Sequence, residues 1–225
     1  MNKRQVKSRI TQLFRRHFGT PKARLNSLLP KSITAGKLYE AYILGVVARD
    51  LTTKEGLRLR LVNGRKIALK SSPGPINTGY PHIRVFRHNT HVANLWTDVE
   101  FTSLSFSLAG GGRHARPNHG QYHELDIVMT PALASGRPAA EEIWLGVECK
   151  NTGYSKSLLR EILGVRRELS YFSGPVPSNF NNWPRAHVPA RPPSCLLVYS
   201  TDSQVTVYSS PGETFGIEFL HVPLP

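Results

Sequence analysis

Glu148, Cys149 and Lys150 end the stretch IWLGVECK, an apolar run that closes on a carboxylate, a thiol and an ammonium. The run reads as a buried strand, where Glu and Lys are rare unless paired. Side chains alternate faces along a strand. Leu145, Val147 and Cys149 therefore share one face, and Glu148 and Lys150 the other. Upstream, YHELDIVM puts Leu125 and Ile127 on one face and Glu124 and Asp126 opposite. If the two strands are neighbours, Asp126, Glu148 and Lys150 converge at one edge of a sheet. Clustered carboxylates repel and raise one another's pKa. A divalent cation relieves that penalty, and hard oxygen donors suit Mg²⁺. Glu124 is a further candidate ligand.

A third acid comes from a helix. SITAGKLYEAYILGVVARDL, capped by Ser32 or Thr34, predicts a helix to about Leu51. Glu40 shares a face with Ile43, Leu44 and Val47. A carboxylate there needs a partner. Lys37, one turn back, is one answer. Delivery of Glu40 to the acidic edge of the sheet is the other.

The remaining elements follow from periodicity. LRLRLVNGRKIALK alternates around Asn63-Gly64 and predicts a hairpin over 57–69. Residues 71–81 read as a loop, and TDVEFTSLSFSL as one strand running to three glycines. SKSLLREILGVRRELSYF predicts an amphipathic helix over 156–172. Residues 174–194, with six prolines, read as a long loop, and SCLLVYS, VTVYS and FGIEFLHV as closing strands.

A helix bearing a Glu, strands bearing an Asp and a Glu-x-Lys, then a helix and another strand: this order resembles the restriction-endonuclease-like, or PD-(D/E)xK, nucleases. The resemblance covers roughly residues 35–200. It implies an α/β fold with a central mixed sheet flanked by helices, and a single domain over 32–225 behind a basic helix or arm at 1–31. It also implies Glu40, Asp126, Glu148 and Lys150 as catalytic residues. Asp126, Glu148 and the Cys149 carbonyl would hold Mg²⁺ or Mn²⁺, with Glu40 joining through water or at a second ion. The expected activity is endonucleolytic hydrolysis of phosphodiester bonds, in DNA first. The alternatives are an inactive nucleic-acid-binding module on the same fold, or an RNA-processing protein. The proline that commonly precedes the Asp is replaced by Leu125. Arg167 and Tyr171 have the spacing of a Gln-x-x-x-Tyr pair found on the following helix in one branch, but Arg stands for Gln.

Taken singly, each residue has a plainer reading. Glu148 with Lys150 makes a strand-end ion pair, Asp126 caps a turn, and Glu40 is half-exposed. The histidines His114, His119 and His123 offer a zinc site, metal-free RNA cleavage, or a basic loop touching phosphate, and their spacing fits no standard finger.

Charge points to the partner. The 225 residues carry a formal net charge of +14, which suits a polyanion such as nucleic acid. Residues 1–31 contain no acid. Val6, Ile10, Leu13, Phe14 and Phe18 fall at helical spacing there, as in an arm on phosphates, a packed helix, or a mitochondrial transit peptide. Candidate nucleic-acid contacts are Lys3, Arg4, Arg15, Arg16, Arg160, Arg166, Arg167, Arg185 and Arg191, with Trp183 and His187 flanking the last two. Apolar runs are too short to cross a membrane. Two cysteines, both in predicted strands, favour a reducing, intracellular, cytoplasmic setting. Cutting both strands of a duplex would call for a homodimer.

Overall fold

The computed structural model describes residues 3–19, 28–29, 33–63, 68–110, 118–172, 183 and 190–225. Helix α1 (Lys3–Phe18) buries Val6, Ile10, Leu13, Phe14 and Phe18. Their partner is α2 (Ala35–Thr53), whose N-terminus is capped by Thr34: its Oγ1 accepts from the Lys37 amide at 3.2 Å. α2 is apolar on nearly every side because it is sandwiched between α1 and the sheet. The two helices approach closely at Gly45, where a Cβ would meet Leu13 Cβ at 3.0 Å. The basic N-terminal segment is thus a packed helix that leaves Lys3, Arg4, Arg15 and Arg16 exposed.

Among the described residues the sheet has seven strands. They are β1 (Arg58–Val62), β2 (His82–Arg87), β3 (Thr90–Thr102), β4 (Tyr122–Pro131), β5 (Leu145–Lys150), β8 (Cys195–Ser200) and β9 (Ile217–His221), in that spatial order. β1 through β5 form an antiparallel meander, and β8 and β9 run parallel to β5. Among the described residues there are also two short helices, α3 (Leu104–Leu108) and α5 (Ser209–Thr214), the longer α4 (Lys156–Leu169), and a small hairpin of β6 (Tyr171–Phe172) with β7 (Ala190–Arg191). α4 makes the β5-to-β8 crossover, which parallel strands require.

One core lies between the sheet and α1 and α2; Ala93, Leu95, Ile127, Val147, Leu197 and Tyr199 belong to it. The other lies on the α4 side, with Trp96, Val128, Leu196, Val198 and Ile162. The architecture is α/β, a mixed sheet with helices on both faces.

Several local expectations fail for identifiable reasons. Asn63 takes the left-handed φ of 60° that its turn signal implies. Yet β1 pairs with β2, not with residues 68–70. Ile83 and Val85 oppose Leu61 and Leu59, so the pairing puts all four on the core side. The strand expected to reach Leu108 stops at Thr102, because Ser103 caps α3 by accepting from the Phe106 amide at 3.3 Å. VTVYS is a 3₁₀ turn, since Asp202 caps it by accepting from the Gln204 amide at 3.0 Å. α4 ends at Leu169, which leaves Tyr171 in β6 and not on one helical face with Arg167.

Candidate active site

The site is built where strand alternation breaks. On β3, Ala93 and Leu95 face the α2 core, but Val99 and Phe101 face the α4 core. Asp98, between them, has φ 53°. A left-handed residue inside a strand turns the following side chains over, and Asp tolerates that conformation better than most. The kink takes the Asp98 carbonyl out of the ladder, and Lys70 Nζ donates to it at 2.8 Å, as a buried carbonyl demands. β4 makes the same switch: Ile127 faces the α2 core, whereas Leu125 faces the α4 core. This overturns the expectation that Leu125 and Ile127 share a face. The β4–β5 pairing ends at Ile127 and Val147, and beyond it Asp126 Oδ2 accepts from the Cys149 amide at 2.7 Å. A side chain replaces the missing backbone rung.

The register puts Asp98 across from Asp126, between the pairs Thr97–Ile127 and Val99–Leu125. By continuation of Ile127–Val147, Asp126 lies across from Glu148. Glu40 reaches down from α2. One carboxylate oxygen from each of Glu40, Asp98 and Asp126 lies within 4.8 Å of the others. Asp98 is fully buried, and among the described residues its Oδ2 accepts from no amide, hydroxyl or ammonium group. Lys37 Nζ donates to Glu40 Oε2 at 2.7 Å and also to Asp98 Oδ1. Lys37 is thus the partner of Glu40, and Glu40 also reaches the acidic edge; both expectations for that carboxylate hold at once. Lys150 Nζ pairs with Glu148 Oε2 at 3.0 Å and with Glu161 Oε1, on α4, at 2.8 Å.

The electrostatics follow from burial. Burial, then the charge of Asp126, pushes Glu148 up to about 8 and Glu40 up to about 7. Glu124 rises to about 7 through burial, the charge of Asp98, and a hydrogen bond its protonated form makes to Asp98. Burial raises Asp126 as well, against the opposing pull of the Cys149 amide and of Lys150 and Lys37. Burial alone would lower both lysines, but their carboxylate partners outweigh it and keep them charged. At neutral pH without a further cation, the site therefore retains protons on carboxyl groups that would be ionised in water.

The other candidates divide. Cys149 packs its side chain against the α2 core, with its thiol pKa raised by burial, so only its backbone faces the site's chemistry. His114 lies outside the described residues, and of His119 only the backbone is described. His123 sits with its ring 6.0 Å from that of Phe101. Arg160, Arg167 and Arg191 are exposed. Arg166 is not available to a ligand: it is buried, donating from Nε to the Phe215 carbonyl at 2.7 Å and from Nη1 to Ser194 Oγ at 2.9 Å. Trp183 is likewise buried, with Lys54 over its ring and its amide on Glu55 Oε1 at 2.6 Å. Arg185 and His187 lie outside the described residues.

Asp98 was not visible as a site residue. Its one signal is its type: an Asp in the middle of an apolar strand has poor strand propensity and marks a kink. A comparison with protein-family models, curated proteins and solved structures gives no match. The functional reading therefore rests on the chemistry of these side chains.

Proposed function

We propose that this protein is a metal-dependent nuclease that hydrolyses phosphodiester bonds, with DNA as its first substrate. The observation that carries the reading is the convergence of Glu40, Asp98 and Asp126 within 4.8 Å, beside a Glu148–Lys150 pair. The order of elements around it, a helix, three antiparallel strands, a crossover helix and a parallel strand, supports a restriction-endonuclease-like core.

The donor set fits Mg²⁺ or Mn²⁺. It is all hard oxygen, and among the described residues the buried Asp98 Oδ2 meets no amide, hydroxyl or ammonium donor, while the carboxyl of Glu124 keeps its proton beside Asp98, a proton that a cation would replace. Glu40, Asp98 and Asp126, whose oxygens converge, would hold the ion, and Glu148, which lies outside that converging group and pairs with Lys150, would join with the Cys149 carbonyl once the ion is bound. When bound, the ion would supply Lewis acidity, activating water and offsetting charge on the phosphate. Lys150, kept charged between Glu148 and Glu161, would serve as a point charge stabilising the negative charge that the phosphate gains in the transition state. Lys37 offsets part of the carboxylate repulsion before any ion arrives.

That same Lys37 favours one competing reading, a catalytically silent binding module whose acids form a self-neutralised structural network. One assay separates the readings. Plasmid, linear duplex, single-stranded DNA and RNA are incubated with the protein in EDTA, then with Mg²⁺ or Mn²⁺. The expected result is cleavage with either ion and none in EDTA. Cleavage undiminished by EDTA would exclude the metal mechanism. Binding to these substrates without cleavage in either ion would favour the silent module. Cleavage confined to RNA would move the substrate class.

A further inference from the structure

On the first two strands of the sheet, the same kind of register arranges a second group of charges. In the β1–β2 pairing Arg60 lies directly across from Arg84, and Arg58 directly across from Phe86. All three arginines are exposed. They occupy the side of the sheet opposite α1 and α2, because Leu59, Ile83 and Val85 fill the core on that side. The next strand continues the row with Asn94 across from Arg84. The Arg58 guanidinium is held over the Phe86 ring at 4.6 Å.

Like charges directly opposite on adjacent strands destabilise a sheet. Among the described residues no carboxylate pairs with Arg58, Arg60 or Arg84. Protection of an exposed sheet edge explains charges on the edge strand. It explains Arg58 and Arg60, but not Arg84, which lies on β2 with a neighbour on each side. An anion bridging the opposed pair would turn the repulsion into binding, and guanidinium groups suit phosphate oxygens.

We propose that this arginine face of β1 and β2 is a docking surface for the sugar-phosphate backbone of a nucleic acid. Arg60 and Arg84 straddle the phosphates, and Arg58 is preoriented by Phe86. The inference rests on the nuclease reading for the kind of anion, but not for the surface itself. Asn94, in the row of Arg84, precedes Asp98 on β3 by about 13 Å at roughly 3.3 Å per residue, but the row lies on the face turned away from α2, whose Glu40 and Lys37 reach Asp98, so a backbone lying here makes a contact separate from the nucleotides at the site. The surface lies on the opposite side of the sheet from α1, which makes it distinct from the basic stripe of that helix.

The test is binding in EDTA, read by anisotropy of labelled duplex and single-stranded oligonucleotides, for the full chain and for Arg60→Gln/Arg84→Gln. The double variant should bind at least ~10-fold more weakly, with the log–log salt slope reduced by about 1.8 for two lost duplex phosphate contacts. Its melting temperature without nucleic acid should be equal or higher, because a repulsive pair is relieved; a purely structural role would lower it. Unchanged affinity and slope would overturn the proposal. So would arginine-dependent binding to phosphatidylserine vesicles with none to oligonucleotides. If no substrate is ever cleaved while binding still depends on Arg60 and Arg84, the surface stands and the catalytic reading falls. If cleavage requires Glu148 and Lys150 but binding ignores the arginines, the reverse holds.

Discussion

Lys150 is the residue at which the proposed chemistry is most exposed to test. It holds Glu148 and Glu161 together, and in the nuclease reading it is an electrostatic stabiliser and not a metal ligand. Lys150→Ala should lower cleavage by at least ~10²-fold, the scale of losing one such group, with nucleic-acid binding retained. Excess Mn²⁺ should not restore it, whereas it should partly restore Asp126→Asn and Glu148→Gln, whose defect is metal affinity. Single-turnover cleavage of each variant across a Mn²⁺ titration checks this. A Lys150→Ala protein that cuts at the parental rate reduces Glu148 and Lys150 to a strand-end ion pair. At this scale Glu40, Glu148 and Lys150 could be placed because helical spacing and period-two alternation are local properties, whereas Asp126 was picked by its type and its order in the chain, since the alternation around it breaks. Asp98 was not, because its role depends on a backbone kink and on which strand lies beside it.

At the scale of elements, α4 is held down by a buried cation. Arg166 donates to the Phe215 carbonyl and to Ser194, tying the crossover helix to the approaches of β8 and β9. It has no carboxylate partner among the ion pairs of the described residues, and burial lowers its pKa to about 10. Arg166→Ala leaves those acceptors buried and unpaired, so it should cost on the order of 3 kcal/mol, measured by denaturant unfolding. Its effect on nucleic-acid affinity should be negligible, in contrast to an exposed arginine. The helical pattern of α4 was readable, but a pattern of apolar residues does not reveal which of its arginines the neighbouring loops will enclose. The same limitation accounts for β1. Its alternation and the turn signal at Asn63 were plain, but selection of β2 as partner rested on a match of apolar faces between segments well separated in the sequence.

At the scale of the molecule, burial of so many acids in a protein of net charge +14 makes stability depend on pH. Glu148 near 8, and Glu40 and Glu124 near 7, all stand above the 4.5 of an ordinary glutamate. The folded chain thus binds more protons than the unfolded chain through this interval, and stability falls as pH rises. The contribution is complete below about pH 4.5 and lost as pH rises through about 7 to 8. Melting temperature in EDTA should therefore decline between pH 5 and pH 8.5, over roughly the interval these shifts define. Mn²⁺ should flatten the decline, because an ion favours the deprotonated folded site. Glu148→Gln should reduce the slope in EDTA, and a melting temperature independent of pH in EDTA would contradict the buried-acid account.

The amino-acid sequence alone determined the α/β alternation, the two principal helices, the strands β4, β5, β8 and β9, and the row that puts Glu148 and Lys150 on one face of β5. Each is set by spacing within a short stretch, where backbone geometry dictates which side chains share a face. Only the tertiary structure decided that α1 packs against α2, that Leu125 and Ile127 part company, that Asp98 joins Glu40 and Asp126, and that Arg166 turns inward while Arg60 confronts Arg84. Those outcomes depend on contacts between residues distant along the chain. They were settled by which apolar faces had to be covered and which buried polar groups had to find partners.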